Sequence, residues 1–466
     1  MLRFYNTMTR KKMKFVPLEK GKVKMYTCGP TVYDFVHIGN LRTFVFQDLL
    51  RRWLEYRGFQ VTQVMNLTDV DDRTIKASRE KGIPLDVQTK RYIDAFFQHK
   101  ERLNIEQAEY YPRATENINE MVEFVGKLME KGYAYRAEDG SIYYDISKFK
   151  GYGKLSRMKL KELKAGARVK VDSYEKEQAR DFALWKAWDE NDGDVFWTTE
   201  IGKGRPGWHL ECSVMSMKYL GETLDIHSGG VDLIFPHHEN EIAQSEAVTG
   251  KRFVNCWMHS ELLMVESEKM AKSLGNYYTL QDLLDKGYNA MAVRFLLIST
   301  HYRQQLNFTF DGLKAAQNAI ERLTIFLQRL TEIEGRPAGE ELENLMKTVR
   351  KDFETALDDD LNITKALAAI FDFIRDVNRM IDQGKVSRKE ARAVNDLMVR
   401  FDKALAIMSE VKKEPLSKEV EQLIQKREAA RQARDWKTAD DIRLKLYEMG
   451  IILEDTTAGV KWRRRS

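Results

Sequence analysis

Cysteine is scarce in this 466-residue sequence: Cys28, Cys212 and Cys256 are the only three, odd in number and far apart. That distribution argues against a disulfide framework and leaves reduced thiols or metal ligands. The sequence also lacks an apolar run long enough to cross a bilayer, and an apolar segment near Met1 of the kind that directs secretion. A soluble, cytosolic protein without membrane attachment is therefore expected. Nor does one sign of charge dominate, since 76 Lys and Arg face 71 Asp and Glu for a net charge of +5. So small an excess demands no polyanionic partner but allows a local basic face. Internal repeats and low-complexity tracts are missing too.

What is present is unevenly placed. Of eight histidines, His37, His209, His227, His237, His238 and His259 share segments with the cysteines, and only His99 and His301 lie elsewhere. A site that handles a soft metal or phosphate produces such clustering. The length is too great for one ordinary core and predicts two to four domains.

Val23 to Cys28 reads as a strand stopped by Gly29 and Pro30, and Leu41, Phe44, Val45, Leu49 and Trp53 fall at helical spacing behind it. With Gln60 to Asn66 as the next strand, the first 70 residues form a βαβ unit of a parallel sheet. Ligands of such sheets bind at the carboxyl ends of the strands, where Cys28 falls. From about 115 to 200 the texture changes to a helix, a hairpin across Glu138 to Gly140 and a Lys-rich irregular stretch, which reads as an insertion. Alternation resumes with a helix around His209 to Tyr219, a strand from Thr223 to His227, a helix from His237 to Gly250 and a strand from Asn255 to Met264. Beyond Phe310 the pattern is helical, with linkers expected at Gly335 to Gly339 and Lys412 to Pro415 and a small separate unit over the last 50 residues.

Three segments could carry chemistry. His37, Gly39 and Asn40 open a helix, whose free N–H groups and dipole suit a phosphate. A glycine-bearing helix cap with a surface histidine would look the same. Lys269 and Lys272, with Ser273, lie in a loop after a strand and could neutralise a triphosphate and its leaving pyrophosphate, although a solvated charged loop has the same composition. His237 and Glu241 stand at i and i+4 of a helix, and Cys28 and Cys212 could add thiolates to make a zinc site. Buried cysteines and a turn histidine account for the same residues.

Taken together, the order and separation of these segments resemble class I aminoacyl-tRNA synthetases, with an HIGH-type motif early (His37 to Asn40) and a KMSKS motif late (Lys269 to Ser273). Within that class the chain is similar to the cysteinyl-tRNA synthetases. The matching segments are 27–34, 66–72, 207–212, 225–230 and 235–242, and the similarity continues to the C-terminus.

The resemblance implies an α/β fold: a Rossmann-type parallel-sheet catalytic domain over 1–310 with a connective insert at about 115–200, a helical bundle over 311–411, and a small anticodon-binding domain over 412–466. It implies ligation of L-cysteine to tRNA-Cys through a cysteinyl-adenylate, with Mg2+ accompanying ATP. Zinc would be held by Cys28, Cys212, His237 and Glu241 and would separate cysteine from serine by the softness of the thiolate. Trp208, His227 and Thr68 would line the cysteine pocket. His37, Gly39, Asn40, Lys269, Lys272 and Ser273 would hold ATP, and Arg431, Trp436, Asp440 and Asp455 would read the anticodon. We expect a monomer in the cytoplasm. Two positions depart from the pattern: Asn40 stands for the last His of HIGH, and Ala271 for the middle Ser of KMSKS. An amino-sugar cysteine ligase would share the catalytic domain but would not need the C-terminal module, and a catalytically dead paralogue would not need to retain His37, Lys272 and four metal ligands.

Overall fold

A computed structural model describes residues 1–157, 168–169, 181–271, 274–408, 418–449, 451–456 and 459–464. At its centre lie four strands that are buried almost continuously towards their carboxyl ends, as a sheet covered on both faces requires. In chain order these elements are β1 (Lys22–Thr27), helix α1 (Ile38–Tyr56), β2 (Gln60–Met65), α2 (Trp208–Leu220), β3 (Leu224–Gly230), α3 (Glu239–Thr249) and β4 (Val254–Ser260). The sheet order is β4-β3-β1-β2 and every pairing is parallel. The chain moves outward from β1 to β2 and then returns past β1 to β3. This reversal opens a crevice between β1 and β3, the place where open α/β sheets bind ligands. Cys28 follows β1 directly.

Helix α1 buries Leu41, Phe44, Val45, Leu49, Leu50, Trp53 and Leu54, confirming the helical spacing seen in the sequence. Its far end is pinned by ions. Asp48 accepts from Arg294 at 2.5 Å, and the same buried guanidinium donates to Leu405 O and Leu103 O at 2.8 Å each.

One sequence expectation fails. The strand expected from Asn255 to Met264 is broken after Ser260, and Leu263–Val265 joins a different sheet, parallel to Leu306–Phe308. The physical reason is the ladder: β3, the partner of β4, ends at Gly230 opposite Ser260, and beyond it Leu262 O accepts from Leu306 N–H and from Arg42 instead.

The insertion contains the expected helix (Ile118–Glu130) and hairpin, with Arg136 opposite Ile142. Its strands form one mainly antiparallel sheet that runs on to Pro206. Most of the Lys-rich stretch lies outside the described residues. Met121, Val125, Leu128, Ile142 and Trp185 pack in one cluster with Leu210 and Met215 of α2, so the insert shares its core with the helix that carries Cys212.

Helices Phe310–Leu330, Glu340–Asp358, Ile363–Asp382 and Arg388–Leu405 follow. The third buries Ile363, Ala366, Leu367, Ile370, Phe373, Ile374, Val377 and Met380, the stripe of an amphipathic helix in a bundle. Gly335 to Gly339 is not a free linker: Gly335 N–H donates to Val386 O at 3.1 Å, and the N–H groups of Ala338 and Gly339 donate to the Glu390 carboxylate. The other expected linker, Lys412 to Pro415, lies outside the described residues.

A second compact unit contains helices Lys418–Gln432 and Trp436–Glu448 and the antiparallel pair Ile451–Thr456 and Gly459–Arg464. Val420, Leu446, Ile451 and Leu453 form its core.

Candidate active site

The crevice beyond β1 and β3 gathers residues from four elements. Cys28 comes from the end of β1, Cys212 from α2, His237 from the irregular turn before α3, and Glu241 from α3 itself. One ligand atom from each lies within 4.8 Å of all the others, and all four residues are buried. Glu241 Oε1 makes no hydrogen bond, and His237 Nε2 stands 3.1 Å away in the same buried site. Two sulfurs, one imidazole and one carboxylate with lone pairs converging on a point make a donor set suited to zinc.

Burial sets the protonation of these groups. It pushes the Cys212 thiol far above its usual range, with the neighbouring Cys28 adding to the effect. It raises Cys28 as well, against a lowering hydrogen bond from Cys212. The Glu241 carboxyl is pushed up to about 8 by desolvation, which His237 only partly offsets. His227 is held down to about 3 and His237 to about 4 by the same burial, so both imidazoles are neutral.

A second layer surrounds this group. His227 Nε2 lies 2.8 Å from Glu241 Oε2. Thr7 Oγ1, His259, His238 and Cys28 form a buried chain with contacts of 2.8, 2.7 and 3.2 Å. With Cys28 ionised the chain runs one way only: Thr7 donates to His259, His259 to His238, and His238 Nε2–H to the sulfur. His209 Nδ1 meets His237 Nδ1 at 3.0 Å from the other side. Such partners orient ligands and tune their basicity. His227, His238, Cys28 and Glu241 also form a second converging quartet, which shares two members with the first. His209, His238 and His259 escaped the assignment of roles from sequence, although the crowding of histidines near the cysteines was the signal that marked them.

The other residues expected in a cysteine pocket lie nearby. Trp208 stacks on His237 with ring centroids 4.2 Å apart, and as the first residue of α2 it shares a face with Cys212. Thr68 donates to Glu211 at 2.8 Å and accepts from Asn66 at 3.1 Å, so its hydroxyl fixes the residue before Cys212. Asn66 also accepts from Gly29 N–H at 2.9 Å. A Cβ on Gly29 would sit 1.8 Å from Asn66 O, so glycine is required where the two loops touch.

His37 caps α1. Its Nδ1 accepts from Asn40 N–H at 3.1 Å, and Asn40 Oδ1 accepts from His37 N–H at 3.3 Å. With Nδ1 accepting, the Nε2 position is the one that carries a ring proton. The cap read from the sequence is present: His37 and Asn40 close a reciprocal capping box that orders the helix start. The late motif is brought to the same place: a Cβ on Gly39 would lie 3.1 Å from Met270 Cε, and the His37 and Tyr277 rings stand 5.0 Å apart, edge to face. Lys269 is exposed at the end of a short strand, and Asn276 closes the loop by donating to Lys269 O at 3.2 Å. Lys272 and Ser273 lie outside the described residues.

In the small unit Trp436 is 58% exposed and Asp440 follows one turn later on the same helix face, while Arg431 ends the preceding helix. Asp455 lies on the strand Ile451–Thr456 opposite Val460.

Known proteins match over this whole arrangement. Residues 14–318 match the family model for the tRNA synthetases class I (C) catalytic domain, 352–409 the DALR domain, and 413–463 the cysteinyl-tRNA ligase anticodon binding domain. A cysteine–tRNA ligase from Protochlamydia amoebophila (strain UWE25) is 50% identical over 468 residues, covering 100% of this chain and 98% of that protein. Another from Solibacter usitatus (strain Ellin6076) is 50% identical over 470 residues and covers 100% of both. In fold, the chain resembles Mycobacterium tuberculosis methionyl-tRNA synthetase in complex with methionyl-adenylate, with a TM-score of 0.61 at 14% identity over 83% of this chain and 88% of that one. The chain belongs to the cysteine–tRNA ligase family of class I aminoacyl-tRNA synthetases.

Proposed function

We propose that the chain joins L-cysteine to tRNA-Cys in two steps, with zinc at Cys28, Cys212, His237 and Glu241 selecting the substrate. The observation that carries this reading is the convergence of those four buried donors, two of them sulfurs, in the crevice of the parallel sheet. Zinc bound there would supply a soft Lewis acid that accepts a thiolate in preference to a hydroxyl. A preference of this kind suffices where shape alone discriminates weakly. Trp208 and His227 wall the pocket, and Thr68 supports it through Glu211. His227 Nε2–H would steady Glu241, the one hard donor among the four residues that would hold the ion.

In the first step a carboxylate oxygen of cysteine attacks the α-phosphorus of ATP and pyrophosphate leaves. In the second a hydroxyl of the tRNA terminal adenosine, the 2′-hydroxyl in this class, attacks the cysteinyl carbonyl and AMP leaves. His37 Nε2–H and Gly39 N–H hold phosphate oxygens, Gly39 gives adenine a close approach, and the Asn40 N–H keeps His37 in its donating tautomer. Lys269, Lys272 and Ser273 take the charge that develops on pyrophosphate, together with Mg2+. Rate comes from positioning and from fixed charge, with no covalent enzyme intermediate.

The division into 1–310, with its insert at 115–200, then 311–411 and 412–466 assigns adenylation to the first part and anticodon reading to the last. The exposed Trp436 indole can stack on an unpaired base, while Arg431, Asp440 and Asp455 supply charged and hydrogen-bonding groups. We place this monomer in the cytoplasm; no helix among the described residues is long and apolar enough to cross a membrane.

Purified protein is expected to hold about one zinc per chain, to exchange pyrophosphate into ATP with cysteine but not serine, and to load tRNA-Cys. A zinc-loaded preparation with no cysteine-dependent exchange would refute the reading. A second expectation follows from the protonation states. Near pH 7 the metal-free site holds protons on Cys28, Cys212 and Glu241, all three raised by burial. Zinc uptake should therefore release about three protons, and apparent affinity should rise with pH. Titration in weak buffer with an indicator dye measures this, and uptake without proton release would place the metal elsewhere.

A further inference from the structure

After β4, residues 263–271 and 274–276 leave the sheet as an arch at the late motif. Leu263–Val265 pairs with Glu268–Lys269 across Glu266 and Ser267, both at positive φ (49° and 66°), the geometry of a two-residue hairpin turn. Both feet of the arch rest on the first turns of α1. At the far foot, Ile38 N–H donates to Tyr278 O at 2.9 Å and His37 bridges to Thr279. At the near foot stands Arg42, 2% exposed. Its Nη1 donates to Glu261 O at 3.0 Å and Leu262 O at 2.5 Å, and its Nη2 donates to Gln304 O. Gln304 leads into Leu306–Phe308, the strand that flanks the arch. Thr43 Oγ1 adds a contact of 2.8 Å to Ser260 Oγ.

Removing a buried guanidinium that donates to backbone carbonyls leaves those acceptors short of a donor, a cost that another donating side chain could offset. What the guanidinium supplies is geometry, since a planar fork can span three carbonyls on two segments and an ammonium cannot. We propose that Arg42 is a positioning residue for adenylation: it clamps the near foot of the arch and so sets where the two-lysine motif begins, at Lys269, relative to the N-terminus of α1. This rests on the phosphate-binding role given above to those lysines. Residues that hold a catalytic group in place act through its location, and a displacement of about 1 Å costs about a hundredfold.

The test uses full-length Arg42→Met and Arg42→Lys, read by cysteine-dependent ATP–pyrophosphate exchange, zinc content and limited trypsin digestion. Arg42→Met should lower kcat about tenfold to a hundredfold and raise KM for ATP, while zinc content and KM for cysteine stay within about twofold. Arg42→Lys should recover only part of the loss. Trypsin should cut after Lys269 or Lys272 faster in both variants, well below the unfolding temperature. Unchanged kcat in a folded variant, a loss that tracks zinc content or the cysteine KM, or an arch still protected from trypsin each overturns the proposal. If Arg42→Met fails to fold, Arg42→Lys decides the same questions. Lys272→Ala assayed in parallel tests the phosphate reading alone: full exchange there with rapid cutting in the Arg42 variants would sink that reading and leave the clamp standing.

Discussion

Replacing Cys212 with serine is expected to empty the metal site and to lower kcat/KM for cysteine activation by about a thousandfold or more, ~4 kcal/mol of transition-state stabilisation. The size follows from the donor set. Cys212 is 1% exposed, held in α2 one turn from Trp208, and faces Cys28, His237 and Glu241 at contact range. A serine hydroxyl there is a hard, protonated, poor zinc ligand, and the three remaining donors cannot complete a closed tetrahedron. Losing the ion also leaves Cys28 and Glu241 buried without a cation, which favours their protonated forms. Zinc content by atomic absorption, exchange kinetics and a thermal midpoint on one preparation make the test. Cys256→Ala serves as the control, because that buried thiol, pushed up to about 12 by desolvation, lies outside both converging quartets. A serine variant that kept zinc and ran within tenfold of the parent would remove Cys212 from the ligand set.

The second large effect is expected at Lys272. Lys272→Ala should lower kcat for adenylation by about a hundredfold to a thousandfold, as does loss of a group aimed at charge that develops in a transition state. KM for cysteine should not move, because the proposed cysteine pocket is built from the ends of β1 and β3 and from α2 and α3, whereas the lysine belongs to the late motif of the sequence. Lys269→Ala should cost less. A rise in KM for ATP with kcat preserved would instead mean ordinary ground-state binding.

These sites differ in how far the sequence revealed them. Strands β1 and β2 and helix α1 were legible because alternation and 3.6-residue spacing are local. The quartet of Cys28, Cys212, His237 and Glu241 was not legible from spacing: Cys28 and Cys212 lie 184 positions apart (212 less 28), and only the crossover of β3 past β1 brings them together. The resemblance supplied that long-range link. His238 and His259 stayed unassigned because their partners come from other elements and nothing periodic announces them. The strand expected over Asn255 to Met264 has a similar origin, since apolar residues return at Leu262 to Met264 but the ladder partner of β4 ends at Gly230, opposite Ser260. Asn40 is explained only by the structure: its amide oxygen completes the cap on His37, so this departure from the HIGH pattern keeps the helix start ordered.

The hydrogen-bonded chain that ends on Cys28 begins at Thr7, just after the first strand of the N-terminal hairpin Arg3–Asn6 and Lys11–Lys14. Asn6 Nδ2 donates to Asn255 O at 2.8 Å and Thr7 N–H to Trp257 O at 2.8 Å, so the hairpin is riveted along β4, while Tyr5 N–H reaches the Asp360 carboxylate. The opening residues thus belong chemically to the pocket floor. Trimming them to tidy an expression clone would act as an active-site lesion, since the donor for His259 would vanish and water could enter behind the histidines.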